Sequence, residues 1–550
     1  MKIGVQKLRD MSSGIIQGVD ESITPNNSVY IANNLIFDEN LGRAKLRKGT
    51  TQMGSQIVDG NSILGINQHI LAAGTKKMLA VVNDVGDANS DVFYSSGSGW
   101  TICTGSGINL TKNLKAHFTT FLDTTVMVNG TEAITTTDGI AWIATAGNLD
   151  VGDMPKGKYV TEWQDKIYIA GVTGNLDRLY YSSTPSIRLT FSDTPTFLAG
   201  DTITGDTTGA TAYINKKVDT NNFDVIITSG KFDASLDNAC TTNGKGGGSG
   251  TGNLSSTSDT TLRVSWVDDE YIDIEPEDGA GSITGLAKVP GYILILKERA
   301  LKRWDGSSTY PDSLVNIGTP SQEAIVQTRQ SVFYYNKRGI YETTGGYPRK
   351  ISRKIQHIID AIPSTYYSSV SGWGDGENVY YSIGDITLND LTFNNAVVCY
   401  NLNSQTWTMF TFPNEFLCWH HYIDTNGDET IIAGDDDGNV WKVLNGSTDG
   451  SSAIKWLLQY NTQEFGSRGR ITDISKIVAY SKNVRNGTLY IKSEDKEFEP
   501  FGTIKNDVEE LINDTNGRYF DIRLMGSGRD DIEIIGLDFP SININENYKD

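Results

Sequence analysis

Residues 25–51 read PNNSVYIANNLIFDENLGRAKLRKGTT. Asn26, Asn27 and Ser28 supply a turn, since short polar side chains bond back to nearby backbone. Val29 to Ala32 and Leu35 to Phe37 are β-branched, aromatic and aliphatic, the composition of short strands. Asp38 to Gly42 is a second turn. Arg43, Lys45, Arg47 and Lys48 follow, with Ala44 and Leu46 between them. In an extended strand alternate side chains share a face, so Arg43, Lys45 and Arg47 are expected on one side. The segment reads as structural and carries no catalytic pattern.

The rest of the chain extends this strand–turn alternation. Of 550 residues, 57 are Gly and only 13 Pro, and Tyr (25) exceeds Phe (18). Aromatic and β-branched residues fit half-buried pleated surfaces, and glycine suits tight hairpins. The formal net charge is −20. That balance disfavours a general nucleic-acid-binding surface, which needs clustered cations. It is compatible with a wall that repels phosphate and lets a duplex pass, and equally with simple solubility. Four widely spaced cysteines, Cys103, Cys240, Cys399 and Cys418, contain no CxxC pair and read as buried thiols. No signal-like apolar core and no long apolar run is present, so no membrane span is expected. The chain is expected in the cytosol until it assembles.

A loose repeat of strand, turn, strand, turn, strand ends on a late aromatic. Met78 to Val82 and Val92 to Tyr94 lead to Trp100; Thr125 to Val128 leads to Trp142; Tyr292 to Leu296 leads to Trp304. Val397 to Tyr400 leads to Trp407, and Thr430 to Ala433 to Trp441. The spacing is about 40–60 residues, the range of propeller blades. The predicted fold is all-β: a six- or seven-bladed β-propeller with an inserted small β-domain and a C-terminal β-sandwich. Residues 1–194 hold the closing strands and first blades, and residues 195–260 an inserted β-module with a Gly/Ser-rich linker, placed between blades. Residues 261–451 hold the remaining blades, and residues 452–550 a separate sandwich. An open blade array leaves edge strands exposed, so residues about 29–50 are expected to complete the last blade. Helix signals are few: Ser352 before Arg353 to Asp360, stopped by Pro363, and a turn at Val508 to Ile512.

Catalysis needs convergent titratable groups, and the five histidines, His69, His117, His357, His420 and His421, are scattered. His420 and His421 are adjacent in a strand, so their side chains point to opposite faces. No G-x-S-x-G, HExxH or P-loop pattern occurs. The chain is read as a non-enzyme with no cofactor. Oxygen-rich turns at Asp424, Asn426 and Asp428 and at Asp435, Asp437 and Asn439 are weak calcium candidates, since hard cations take oxygen ligands. The same residues serve hairpin turns that need a positive φ. The acidic run Glu275 to Asp278 reads as a wet loop.

The opening segment resembles the N-terminal segment of tailed-bacteriophage virion proteins with β-propeller bodies, of the tail hub and nozzle or packaged-DNA stabilisation type. Gly345-Gly346-Tyr347-Pro348-Arg349-Lys350-Ile351-Ser352 is similar to their GG-x-P-x-x-I-S stretch. Gly434 to Trp441 is similar to their G-D-x-D-G-x-aromatic hairpin, with Val440 one place before the aromatic. GDTITGDTTGAT at residues 200–211 resembles a module of many phage structural proteins. The resemblance implies a virion tail protein made in the host cytoplasm. It implies a cyclic homo-oligomer, a hexamer, that meets other tail or head-to-tail proteins and surrounds DNA without reading its sequence. Arg43, Lys45, Arg47 and Lys48 are then candidates for subunit contact or ring closure. A receptor- or glycan-binding tail module is the alternative, and exposed aromatics on the inserted module would favour it.

Overall fold

The computed structural model describes residues 5–17, 24–38, 40–58, 61–71, 74–84, 89–97, 99–105, 109–144, 147–256, 262–267, 270–465, 471–494 and 496–544. As the alternation of apolar and polar residues predicts, the chain is all-β with a six-blade β-propeller arrangement. Two compact units divide it: residues 1–66, 97–100 and 314–550 form one, and residues 67–96 and 101–313 the other.

The second unit carries four blades, each an antiparallel meander. They are built on Lys76–Asn83 with Asn89–Ser95, on His117–Phe121 with Thr124–Val128 and Ala133–Thr136, on Tyr159–Trp163 with Lys166–Val172 and Asn175–Tyr181, and on Ile283–Val289 with Tyr292–Lys297 and Leu301–Trp304. The insertion is a seven-stranded sheet running from Ile187–Phe191 to Leu254–Ser256 around a core of Phe191, Phe197, Phe223 and Val225. It does not lie between blades. Tyr271–Asp273 pairs with Asn175–Tyr181, Leu179 facing Ile272, so the module interrupts one blade before its fourth strand. The Gly/Ser-rich tract read as a linker contributes Thr251–Gly252 and Leu254–Ser256 to the module's own sheet.

In the first unit, Ile325–Gln327 opens a four-stranded blade, and Phe416–Ile423, Glu429–Asp435 and Val440–Val443 form another. Thr50–Gln52 supplies the latter's fourth strand, with Val443 facing Thr50. A further meander, Ser371–Gly374 to Trp407–Thr411, continues into a nine-stranded sheet through Val29–Asn33, Ile454–Tyr460, Phe520–Gly528, Gly487–Ser493 and Glu499–Ile504. A six-stranded sheet holds Leu35–Asp38, Arg43–Leu46, Glu533–Ile544, Thr472–Lys482 and Val508–Gly517, with Gln6–Leu8 against Glu533–Ile544. Leu458, Leu489, Leu524, Ile477, Leu537 and Phe539 of these two sheets belong to one core.

The C-terminal strands are therefore not a separate sandwich. Residues 29–46 contribute to both of its sheets, and Asn34 is the corner. Its φ of 63° turns the chain from one sheet into the other, a conformation Asn tolerates better than most residues. Only Thr50–Gln52, at the end of the segment expected to complete the last blade, does so. Val508 to Ile512 is not helical but begins a ten-residue strand. Ser352 does not cap a helix: its hydroxyl accepts the Ile340 N–H, and a 3-10 turn, Ser352–Lys354, precedes a five-residue helix, Gln356–Asp360.

Candidate functional site

The basic segment leaves its strand at Leu46, and this decides the fate of its four cations. Arg43 and Lys45 remain on the strand, half-buried, 3.6 Å from Glu533 and 3.0 Å from Asp38. The Lys45 ammonium holds the Asp38 carboxyl below its ordinary pKa. Arg47 does not share their face. Once the strand has ended, the side chain turns inward and is fully buried. Its Nε donates to Asn34 Oδ1 at 2.7 Å. Nη1 donates to Asp449 Oδ1 at 2.9 Å and to the Lys48 carbonyl at 2.8 Å. Nη2 donates to Asp449 Oδ2 and to the Thr411 carbonyl, both at 2.7 Å. All five guanidinium N–H groups are thus used, and the Phe412 ring lies 4.1 Å from the guanidinium carbon. Lys48 is exposed.

The loop at 445–450 clasps this corner. Thr50 N–H bonds the Thr448 carbonyl at 3.0 Å and Asn445 N–H the Gly49 carbonyl at 2.8 Å. A Cβ on Gly49 would stand 1.8 Å from the Thr448 oxygen, so only glycine fits. Asn34 completes the arrangement: its amide donates to Thr411 Oγ1 at 2.9 Å and to the Lys455 carbonyl at 2.6 Å.

The calcium candidates spend their oxygens on turns. Asp424 Oδ1 accepts the N–H groups of Asn426 and Asp428 at 2.8 and 2.9 Å, which lowers its pKa. Buried Asp435 accepts the N–H groups of Asp437 and Asn439 at one oxygen, at 3.0 and 2.7 Å, and the Trp441 indole N–H at the other, at 2.8 Å. Gly438, with φ 79°, brings this hairpin against the Val58 carbonyl. Among the described residues no group of three or more His, Cys, Asp or Glu is placed to hold a metal ion.

His420 and His421 do point apart. His420 packs 5.4 Å from the Trp373 ring, and burial pushes its pKa down to about 4. His421 Nε2 lies 3.2 Å from Glu429, in a cleft of about 320 Å³ shared with Asp375 and Glu377. The Asp375 carboxylate is committed to the N–H groups of Glu377 and Asn378 and to the Tyr380 hydroxyl, at 2.9, 2.6 and 2.8 Å.

One charge cluster was invisible in the sequence. Lys297 and Lys302 are buried, and the run read as a wet loop receives them. Lys297 Nζ lies 2.9 Å from Asp278 and 3.2 Å from Asp177. Lys302 Nζ pairs with Glu275 and lies 2.8 Å from Asp278. Burial alone would raise the Asp278 pKa. The bonds from Lys302, Ala280 and Lys297 outweigh it and bring it down to about 2. Two lysines five places apart in an apolar hairpin were the available signal.

No protein-family model matches the chain, and no curated protein does. Solved structures that resemble it do so at low similarity. YCF48 from Cyanidioschyzon merolae is 9% identical with a TM-score of 0.33, covering 72% of this chain and 98% of that one. The AfRom2 CNH domain is 8% identical with a TM-score of 0.33, covering 72% and 99%. The phage phi92 endosialidase is 9% identical with a TM-score of 0.23, covering 86% and 60%. At such scores the likenesses carry no functional argument, and the fold rests on the sheet order.

Proposed function

We propose that the chain is a non-enzymatic structural subunit of a tailed-bacteriophage virion, of the tail hub or nozzle type. In this reading it forms a cyclic homo-oligomer around the DNA path and a platform for other tail proteins. The observation that carries it is the use of the N-terminal segment. The motif that resembles such proteins is the corner where the last blade is completed and both sandwich sheets begin, as Thr50–Gln52, Asn34 and Arg47 illustrate. A framework of that kind favours rigid side surfaces over a mobile catalytic cleft. The charge of −20 suits a conduit that does not trap DNA.

With three of the four cations engaged inside the chain, Arg43, Lys45 and Arg47 serve its own closure, and Lys48 is the one left for a subunit contact. The glycan-binding alternative lacks its expected support. Phe191, Phe197, Phe223 and Phe232 of the inserted module are buried, which leaves Tyr213 as its exposed aromatic ring. Negative-stain imaging and mass measurement of the purified protein and of virions test the proposal. Rings of constant subunit number are expected. Monomers in solution together with virions that lack the protein would overturn it.

A further inference from the structure

Both sheets of the sandwich end at consecutive strands. Glu499–Ile504 closes the nine-stranded sheet and Val508–Gly517 the six-stranded one; among the described residues neither has a second hydrogen-bonded strand neighbour, and the two lie against each other, with Leu511 packed on Gly502. The ten-residue Val508–Gly517 edge is long, and its Val508 and Ile512 side chains are 58% and 77% exposed. Natural edge strands are usually short, charged throughout, or covered, because a free row of N–H and C=O groups templates further pairing.

Between the two edge strands lies a cleft of about 570 Å³. Its floor includes buried Ile491 and Phe501. Its walls carry the carboxylates of Asp473, Glu497, Glu499 and Asp514 against one ammonium, Lys496. None of these four carboxylates has an ion-pair partner among the described residues. The site therefore combines an unpaired strand edge, exposed β-branched side chains and uncompensated negative charge.

We propose that this edge receives an extended, lysine- or arginine-bearing strand of another polypeptide. The main chain of that strand pairs with Val508–Gly517, its cations meet the cleft carboxylates, and its alternate apolar side chains cover Val508 and Ile512. A second copy of this chain is the poorer occupant. It is acidic, and three of the four cations in its most basic stretch are engaged internally. The proposal stands whether or not the virion reading holds.

The probe is a fluorescein-labelled ten-residue peptide of alternating Lys and Val, titrated into the full-length protein by anisotropy. Saturable binding that weakens with salt is expected. It should bring hydrogen-exchange protection of Val508–Gly517. The double variant Glu499→Lys/Asp514→Lys should weaken binding at least tenfold. Glu277→Lys/Asp428→Lys, the same charge change elsewhere, should change it no more than about twofold. A peptide N-methylated at alternate backbone nitrogens should lose binding to the wild-type protein. Equal loss in both double variants, undiminished binding of the N-methylated peptide, or no saturable binding would overturn the proposal. The N-methylated arm uses only wild-type protein, so it decides even where a variant fails to fold.

Discussion

Arg47 and Asp449 meet through two parallel hydrogen bonds of 2.9 and 2.7 Å across 402 residues of chain. The pair sits where the last blade and the sandwich share a corner. It is buried, and its remaining donors go to Asn34 and to two backbone carbonyls. A buried pair of this kind contributes little beyond an apolar replacement while intact, and much when one partner is removed.

Arg47→Ala is therefore expected to destabilise the first unit by about 3–5 kcal/mol. Arg47→Lys should recover only part of this, since an ammonium cannot reproduce the two-pronged geometry. Urea unfolding followed by tryptophan fluorescence measures both. An Arg47→Ala midpoint equal to wild type would refute the role assigned to the pair.

Gly49→Ala places a methyl group against the Thr448 carbonyl and should push the 445–450 loop away. Thr50–Gln52 then loses its register on Val440–Val443. Faster amide exchange at Thr50–Gln52 and new protease cleavage within 445–450 are the expected readouts. Deleting residues 29–52 removes strands from both sandwich sheets and should abolish folding altogether. A stable, monomeric truncation product would contradict the topology's importance.

The Asp278 cluster makes stability depend on acid. Its folded pKa of about 2 lies below the ordinary 3.8, so its contribution is full above about pH 4 and fades as pH falls towards 2. Asp278→Asn should be less stable than wild type at pH 6, and the gap should narrow between pH 4 and 2.5 in parallel urea titrations. A gap independent of pH would show that the carboxylate charge is not what matters.

All four cysteines are buried thiols, and burial pushes Cys103 and Cys240 up to about 12. Native protein at pH 8 should react with a thiol reagent far more slowly than free cysteine, and denatured protein should titrate four thiols at once. A fast-reacting native thiol would contradict the packing.

The strands were legible as short apolar, β-branched runs between turn residues, which stay recognisable even where both faces are buried, as Thr125 to Val128 and Thr430 to Ala433 illustrate. So was the divergence of His420 and His421, which follows from strand geometry alone. The fate of Arg47 was not. Counting alternate positions placed it with Arg43 and Lys45, and nothing local marks the end of that strand at Leu46. Glu275 and Asp278 looked solvated because their partners, Lys297 and Lys302, come from the following hairpin. Val508 to Ile512 was misread because a free edge buries few side chains and so shows no clear period. The insertion's place inside a blade depended on Tyr271–Asp273, three residues too short to recognise without their pairing partner.

The corner held by Arg47 also sets an order of events in time. Its first half leaves the ribosome 402 residues ahead of its second. At 5–20 residues per second that gap lasts roughly 20–80 s. For most of it, Val29–Asn33 and Thr50–Gln52 lack their partner strands, while Leu35–Asp38 and Arg43–Leu46 can pair only with each other. The nascent chain therefore carries Val29–Asn33 and Thr50–Gln52 without their long-range partners until residues 409–460 have been made.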